Sequence, residues 1–221
     1  FPIIPNKKDF LHEKDMKNIL IENGFCEIVN FPFTSEISPN SIIIDNPLDS
    51  NKKVIRKNLK YSLIENLLFN ERRQKDSIKL FEISDVYKIE NNQVRKEKIL
   101  GVIASGRVGK NYIDFSKKID EKYLLDIYES MFKGKTIEIE DISRANIDTK
   151  IKNKISYFEV NLKNAKLNTP KNNQDIFKLS NFIKYKKISD FPSSTRDLSF
   201  SIKDSKDLEL LQDKVNNFNH L

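Results

Sequence analysis

A chain of 221 residues with 38% hydrophobic content and 15 phenylalanines can build one good-sized core and a small appended module. No apolar run nears the ~20 residues that span a bilayer, and Phe1-Pro2-Ile3-Ile4-Pro5 lacks the basic and long apolar parts of a secretory signal. The single cysteine, Cys26, excludes an internal disulfide framework and fits a reducing cytoplasm. The missing initiator Met suggests a segment of a longer protein.

The formal net charge of +7 is unevenly placed. Residues 51–75 carry eight Lys or Arg against two Glu, and residues 150–187 carry ten against two acids. Residues 119–149 reverse the balance, with eight acids against four bases. Basic stretches of this kind can attract RNA phosphate through counterion release. A solvated lysine-rich surface is the better explanation, because Lys, Asn and Ile are abundant throughout the chain and charge alone carries no fold information.

In chain order, Phe1 to Lys8 reads as an irregular lead-in with two prolines. Asp9 can cap a helix running to about Asn23, with Glu13 and Asp15 suiting its dipole. Met16, Ile19, Leu20 and Asn23 form one stripe of that helix, while Leu11 and Ile21 point elsewhere. Gly24 can close it in the left-handed conformation. An extended run follows, with Phe25, Ile28, Phe31 and Phe33 as bulky positions and Cys26 expected in the core. Pro32 places its end at a sheet edge or exit.

Ser41 to Ile44 reads as a short β-branched strand closed by Asp45-Asn46-Pro47-Leu48. Asn58 can cap a helix whose stripe is Leu59, Leu63, Leu67 with Ile64 and Leu68, and Arg72 and Arg73 complement its far end. Ile78 to Lys88 and Lys98 to Ser105 read as a hairpin turning at Asn91-Asn92. Asp114-Phe115 leads to a helix from about Asp120 to Phe132, apolar at Leu124, Leu125, Ile127, Tyr128, Met131 and Phe132. Residues 136–140 and 155–162 alternate as half-buried strands. Asn164 to Gln174 is a polar loop, and Phe177 to Tyr185 can return to the sheet. A last strand to about Lys203 and a helix over Leu208 to Phe218 complete the chain.

Four blocks carry a resemblance. Gly24-Phe25-Cys26-Glu27-Ile28-Val29-Asn30-Phe31-Pro32-Phe33-Thr34-Ser35, preceded by its helix, resembles the first signature of class II aminoacyl-tRNA synthetases. Its wording is similar to the catalytic-like core of bacterial phenylalanyl-tRNA synthetase beta subunits. Asn46-Pro47-Leu48 with Val54 to Leu67, then Leu80-Phe81-Glu82-Ile83, resemble further blocks of that family in its own order. Tyr185 to Phe200, with Phe191-Pro192 and Arg196-Asp197-Leu198, resembles the entry to its ferredoxin-like anticodon-binding domain, although Lys187 replaces the usual Pro. Ser116-Lys117-Lys118 departs from the family's pattern after Asp114-Phe115.

The resemblance implies an α+β fold, a class II synthetase-like antiparallel sheet flanked by helices over residues 1–183. It implies that residues 184–221 hold the first strand and helix of a truncated ferredoxin-like domain. It also implies part of an ATP- and magnesium-using phenylalanine–tRNA ligase, an (αβ)2 assembly that handles tRNA, with this segment as the inactive partner of the alpha subunit. Helix and strand 11–33 would then form a subunit interface, with Met16, Ile19, Leu20, Ile21, Phe31 and Phe33 as candidates. Arg56 and Glu82, both in the family blocks, are expected to pair in a partly buried site.

Catalytic chemistry is not legible. Lys88-Ile89-Glu90 follows Tyr87 where active members carry an Arg, and glycines at 24, 101, 106, 109 and 134 leave no late Gly-rich motif for phosphates. Gly106-Arg107-Val108-Gly109-Lys110 lacks the length and the following hydroxyl residue of a phosphate loop. His12 and His220 stand away from any metal-ligand spacing. The alternative function is an RNA-binding module using the basic stretches.

Overall fold

A computed structural model of the chain describes residues 7–91, 93–109, 117–134, 137–145, 147, 151–163, 165, 168, 187, 191, 199–201, 204 and 206–217. It divides into two compact units, residues 1–173 and 174–221. Within the first, α1 (Lys7–Glu22) leads to β1 (Cys26–Glu27), β2 (Phe33–Thr34), β3 (Ile42–Ile43) and β4 (Val54–Ile55). Then come α2 (Lys60–Glu71), β5 (Ser77–Glu90), β6 (Gln93–Gly106), α3 (Glu121–Met131), β7 (Glu140–Asp141) and β8 (Ile155–Asn161). The second unit contributes α4 (Lys206–Asn217), with Leu208, Leu210 and Val215 exposed.

One sheet has the order β1-β5-β6-β8-β7, antiparallel throughout except at β1, which runs parallel to β5. A smaller antiparallel sheet has the order β2-β4-β3. The β5–β6 hairpin pairs continuously from Ser77↔Gly106 to Glu90↔Gln93. Asn91, at φ 51°, supplies the positive φ that a two-residue turn needs to match strand twist. Strand alternation sends successive side chains to opposite faces. One face carries Phe81, Leu100, Val102, Ala104, Phe158 and Val160, and these pack with Met16, Leu20 and Phe25 and with Leu124, Ile127, Tyr128 and Met131 of α3. The other carries Ile78, Leu80, Ile99, Ile103, Ile155 and Tyr157 against Leu59, Leu63 and Leu67 beside and along α2. Each such side chain, fully buried, contributes ~1.5–3 kcal/mol.

Two glycines position these helices. Gly24 has φ +80°, donates to Ile21 O (2.9 Å), and lets Phe25 N–H reach back to Leu20 O (2.9 Å). This paired closure satisfies the helix's last carbonyls and turns Phe25 into the core. α1 has no basic residue in its last turn. Lys79 of β5 takes that place from across the core, donating to Asn23 O (3.0 Å) and to Tyr123 Oη of α3 (2.8 Å). At Gly101 a Cβ would stand 2.9 Å from Leu63 Cδ1 and 3.0 Å from Leu59 Cβ, so the missing side chain is what lets α2 approach the sheet.

Several local expectations change. α1 is already helical at Lys7, two residues before Asp9. Leu59, not Asn58, occupies the cap position of α2, although Asn58 Oδ1 accepts from Lys60 N (3.2 Å). Asp120 does cap α3, accepting from Tyr123 N (2.8 Å). The run 25–34 is split between two sheets, because the chain leaves β5 after Ile28 and rejoins a ladder only at Phe33. Within 137–141 only Glu140–Asp141 pairs, as the outermost strand. Cys26 is exposed on the edge strand rather than in the core, since Phe25 takes the inward position. The side chain of Leu11, Asp114-Phe115, the strand over 177–185, the 183/184 boundary and most of the Tyr185–Phe200 block lie outside the described residues.

Candidate partner interface

The chain crosses from the large sheet to the small one over residues 28–33. Ile28 N–H donates to Phe81 O (2.9 Å) on one side, and Pro32 O accepts from Arg56 N (2.9 Å) on the other. Between them Phe31 is 83% exposed, and Val29 is also exposed. Phe33, Ile37, Ile43 and Leu48 are also exposed in the small sheet and its loops, with Phe33 and Ile43 on opposite faces of that sheet by register. Phe31 and Phe33 line one cleft of about 140 Å³ with Ile55, Tyr61, Lys52 and Asn58. Ile21, on the last turn of α1, is 55% exposed. Large apolar groups gathered in this way mark association surfaces more often than isolated ones do.

Of the residues expected at an interface, Ile21, Phe31 and Phe33 are thus exposed. Met16 and Leu20 are not available: they are 3% and 0% exposed, inserted between the sheet and α3. Ile19 is partly buried against the same core. The stripe of α1 therefore faces its own domain, and the correction follows from the parallel β1–β5 contact and the Gly24 turn, which lay that face of α1 on the sheet.

Arg56 and Glu82 lie beneath the exposed segment. Arg56 Nη1 is 2.9 Å from Glu82 Oε1, with the two side chains 5% and 1% exposed. Arg56 also donates from Nη2 to Ser84 Oγ and from Nε to Asp85 O (3.2 Å). The second oxygen of Glu82 accepts from Asn30 Nδ2 (2.8 Å), and Asn30 Oδ1 accepts from Asn66 Nδ2 of α2 (2.7 Å). A buried ion pair whose remaining hydrogen-bonding positions are filled is one that can be tolerated in the interior.

Residues 3–155 match the family described as "Phenylalanyl tRNA synthetase beta chain CLM domain". The chain belongs to this family. A phenylalanine–tRNA ligase beta subunit of Dehalococcoides mccartyi (strain CBDB1) is 34% identical to the CLM-domain chain, covering 48% of this chain and 14% of its own length. The beta subunit of Buchnera aphidicola subsp. Schizaphis graminum is 26% identical, covering 95% of this chain and 31% of its own. The chain spans less than a third of either relative. Among solved structures, a pyrrolysyl tRNA synthetase, Desulfitobacterium hafniense PylSc, is similar at 15% identity and a TM-score of 0.43, over 70% of this chain and 66% of that one.

Two further polar groups of the CLM domain, Glu71 buried and Glu159 half-buried, were not foreseen. Glu71, at the end of α2, is held by Arg144, with Nη2 2.6 Å from Oε1 and Nη1 3.1 Å from Oε2, and Nη2 also reaches Ser105 Oγ (3.1 Å). A carboxylate at a helix C-terminus opposes the dipole, and that misplaced charge is the one sequence signal that Glu71 needs a distant cation. Glu159 of β8 accepts from Leu59 N, supplying from another element the cap that Leu59 lacks. Burial pushes its carboxyl above the ordinary range, opposed first by the neighbouring Tyr157 hydroxyl and then by that amide. Among the described residues no three His, Cys, Asp or Glu side chains are arranged to hold a metal. No helix among them is long and apolar enough to cross a membrane.

Proposed function

We propose that the chain acts within a cytoplasmic phenylalanine–tRNA ligase as a non-catalytic scaffold that pairs with the alpha subunit in an (αβ)2 enzyme. The whole enzyme joins phenylalanine to its tRNA with ATP and magnesium. The observation that carries the reading is the exposed apolar set around Phe31 and Phe33. Val29, Ile37, Ile43 and Leu48 are aliphatic. They suit the core of a protein interface, and within the set only Phe31 and Phe33 have rings that could stack on bases.

In this reading ATP and magnesium belong to the alpha subunit, and the cleft beside Phe31 and Phe33 is not built for them. Arg56, the buried guanidinium nearest the cleft, is committed to Glu82. The cleft itself, at about 140 Å³, falls below the ~300–1,000 Å³ of ordinary small-molecule sites. The RNA-binding alternative is weakened because the basic stretch 51–75 is partly engaged: Lys60 pairs with Glu140, and Arg73 lies 3.3 Å over the Phe69 ring. Residues 184–221 are assigned to the opening strand and helix of a ferredoxin-like anticodon-binding domain.

The test is association of the beta subunit with alpha. Ile21→Glu and Phe31→Glu should each weaken it without unfolding the domain. Wild-type affinity in both variants defeats the interface assignment. The chain without alpha should show no phenylalanine-dependent pyrophosphate exchange into ATP, and reproducible exchange would overturn the non-catalytic reading. Salt-dependent tRNA binding by the chain alone would favour the RNA alternative.

A further inference from the structure

Residues 29–32 sit between two ladders and belong to neither. In extended backbone, neighbouring side chains point to opposite sides, so a single inward residue decides which of its neighbours face out. Here the inward residue is polar. Asn30 is half-buried while Val29 and Phe31, on either side of it, are exposed. A shift by one residue would bury Val29 and Phe31 and expose Asn30, but it would also pull out Ile28, which packs on the α2-side core and bonds Phe81 O. Over residues 29–31 alone, hydrophobicity would favour it.

What opposes that shift is a chain of bonds with one chemical solution. Glu82 already takes Arg56 Nη1 on Oε1, and its Oε2 accepts from Asn30 Nδ2 (2.8 Å). The Asn30 backbone N–H lies 3.4 Å from Glu82 Oε1. Asn66 Nδ2 donates both to Asn30 Oδ1 (2.7 Å) and to Ser62 O (2.7 Å). A carboxylate only accepts, so the Asn30 amide must turn its nitrogen to Glu82 and its oxygen to Asn66. Aspartate is nearly isosteric but would set a second carboxylate against Glu82, whose charge one arginine already balances.

We propose that Asn30 is a positioning residue for the partner surface: by bridging Glu82 of β5 and Asn66 of α2 it holds Val29 and Phe31 outward for docking. This rests on the interface reading above. The partner is the one named there, the alpha subunit, and Asn30 does not itself touch it.

The test uses the beta subunit that contains this chain, with its alpha partner and with 4-fluorophenylalanine placed at position 31. Asn30→Asp should weaken association on the order of tenfold and move the fluorine resonance, while Asn30→Asp/Glu82→Gln should recover most of both. The recovery is specific, because a glutamine amide at position 82 can accept from Arg56 and donate to the new carboxylate. Relief of repulsion would restore stability in either case, so the fluorine resonance at position 31 is the readout that separates positioning from stability. If Phe31→Ser loses affinity but Asn30→Asp binds alpha as wild type does, the positioning role is refuted and the interface stands. If Phe31→Ser binds as wild type, the interface reading fails. The fluorine resonance then decides the rest: moved in Asn30→Asp and restored in the double variant upholds the positioning of Phe31, and unmoved overturns it. Should Asn30→Asp not fold, Asn66→Ala, which removes the donor to Asn30 Oδ1, replaces it: weaker association with a moved fluorine resonance upholds the role, and wild-type values of both refute it.

Discussion

On the side of the large sheet that meets α1 and α3, β5, β6 and β8 present Phe81, Leu100, Val102, Ala104, Phe158 and Val160. On the side that meets α2, the same strands place Glu82, Gly101 and Glu159 in one row, paired Glu82↔Gly101↔Glu159. Both faces exclude water, by different means. The first relies on apolar area, which is non-directional and sums over many contacts. The second also packs apolar side chains against Leu59, Leu63 and Leu67 but adds directed bonds to them: Arg56 to Glu82, Leu59 N–H to Glu159, Arg144 to Glu71. Directed bonds fix where α2 and the segment 28–33 lie, and through them the exposed surface.

The largest effects should separate the faces by how they can be repaired. Phe81→Ala, at a position with 0% exposure, should cost ~3–5 kcal/mol in denaturant unfolding. Arg56→Met should cost a similar ~3–5 kcal/mol by stranding Glu82, but adding Glu82→Gln should recover a large part of it. If the double variant is no more stable than Arg56→Met, the charge is not what makes the α2 side costly.

A smaller effect is expected at Gly101, between the two carboxylates. Gly101→Ala pushes a methyl against Leu63 and Leu59 and should destabilise by ~1–3 kcal/mol through overpacking. A neutral outcome would mean that α2 can lift from the sheet, and the close approach would lose its significance.

Acidity offers a subtler contrast. Burial raises the Glu159 carboxyl above its ordinary value of 4.5. A group raised on folding favours the native state fully below its unfolded value, and that contribution is lost as pH climbs through the folded value. Glu159→Gln keeps an oxygen for Leu59 N–H and cannot ionise. Unfolding measured from acid to neutral pH should therefore show wild type losing ground to Glu159→Gln as pH rises above about 4.5. Phe81→Ala should show no such trend relative to wild type. The smallest change is Tyr157→Phe. The Tyr157 hydroxyl is buried short of full hydrogen-bond geometry but close enough to Glu159 to lower that carboxyl, so removing this weak contact should alter stability by no more than about 1 kcal/mol.

The elements governed by local periodicity were legible in the sequence. Alternation and Asn91-Asn92 locate the hairpin; the stripes Leu59-Leu63-Leu67 and Leu124-Ile127-Tyr128-Met131 locate α2 and α3; Gly24 ends α1. Such signals depend on residues a few positions apart, where φ, ψ and side-chain direction are set locally. Arg56 and Glu82 were paired in that reading because both fall in the family blocks and stand among apolar neighbours (Val54 and Ile55; Leu80, Phe81 and Ile83), and a buried charge demands a partner. Tertiary structure alone decided which surface each stripe meets. Met16 and Leu20 serve the domain's own core while Ile21 and Phe31 stay exposed, a distinction periodicity cannot make because it reports a face and not what covers it. The bonds from Arg144 to Glu71 and from Leu59 to Glu159 join residues 73 and 100 positions apart. No local preference encodes them, since each exists only once the sheet has brought α2, β8 and the loop after β7 together.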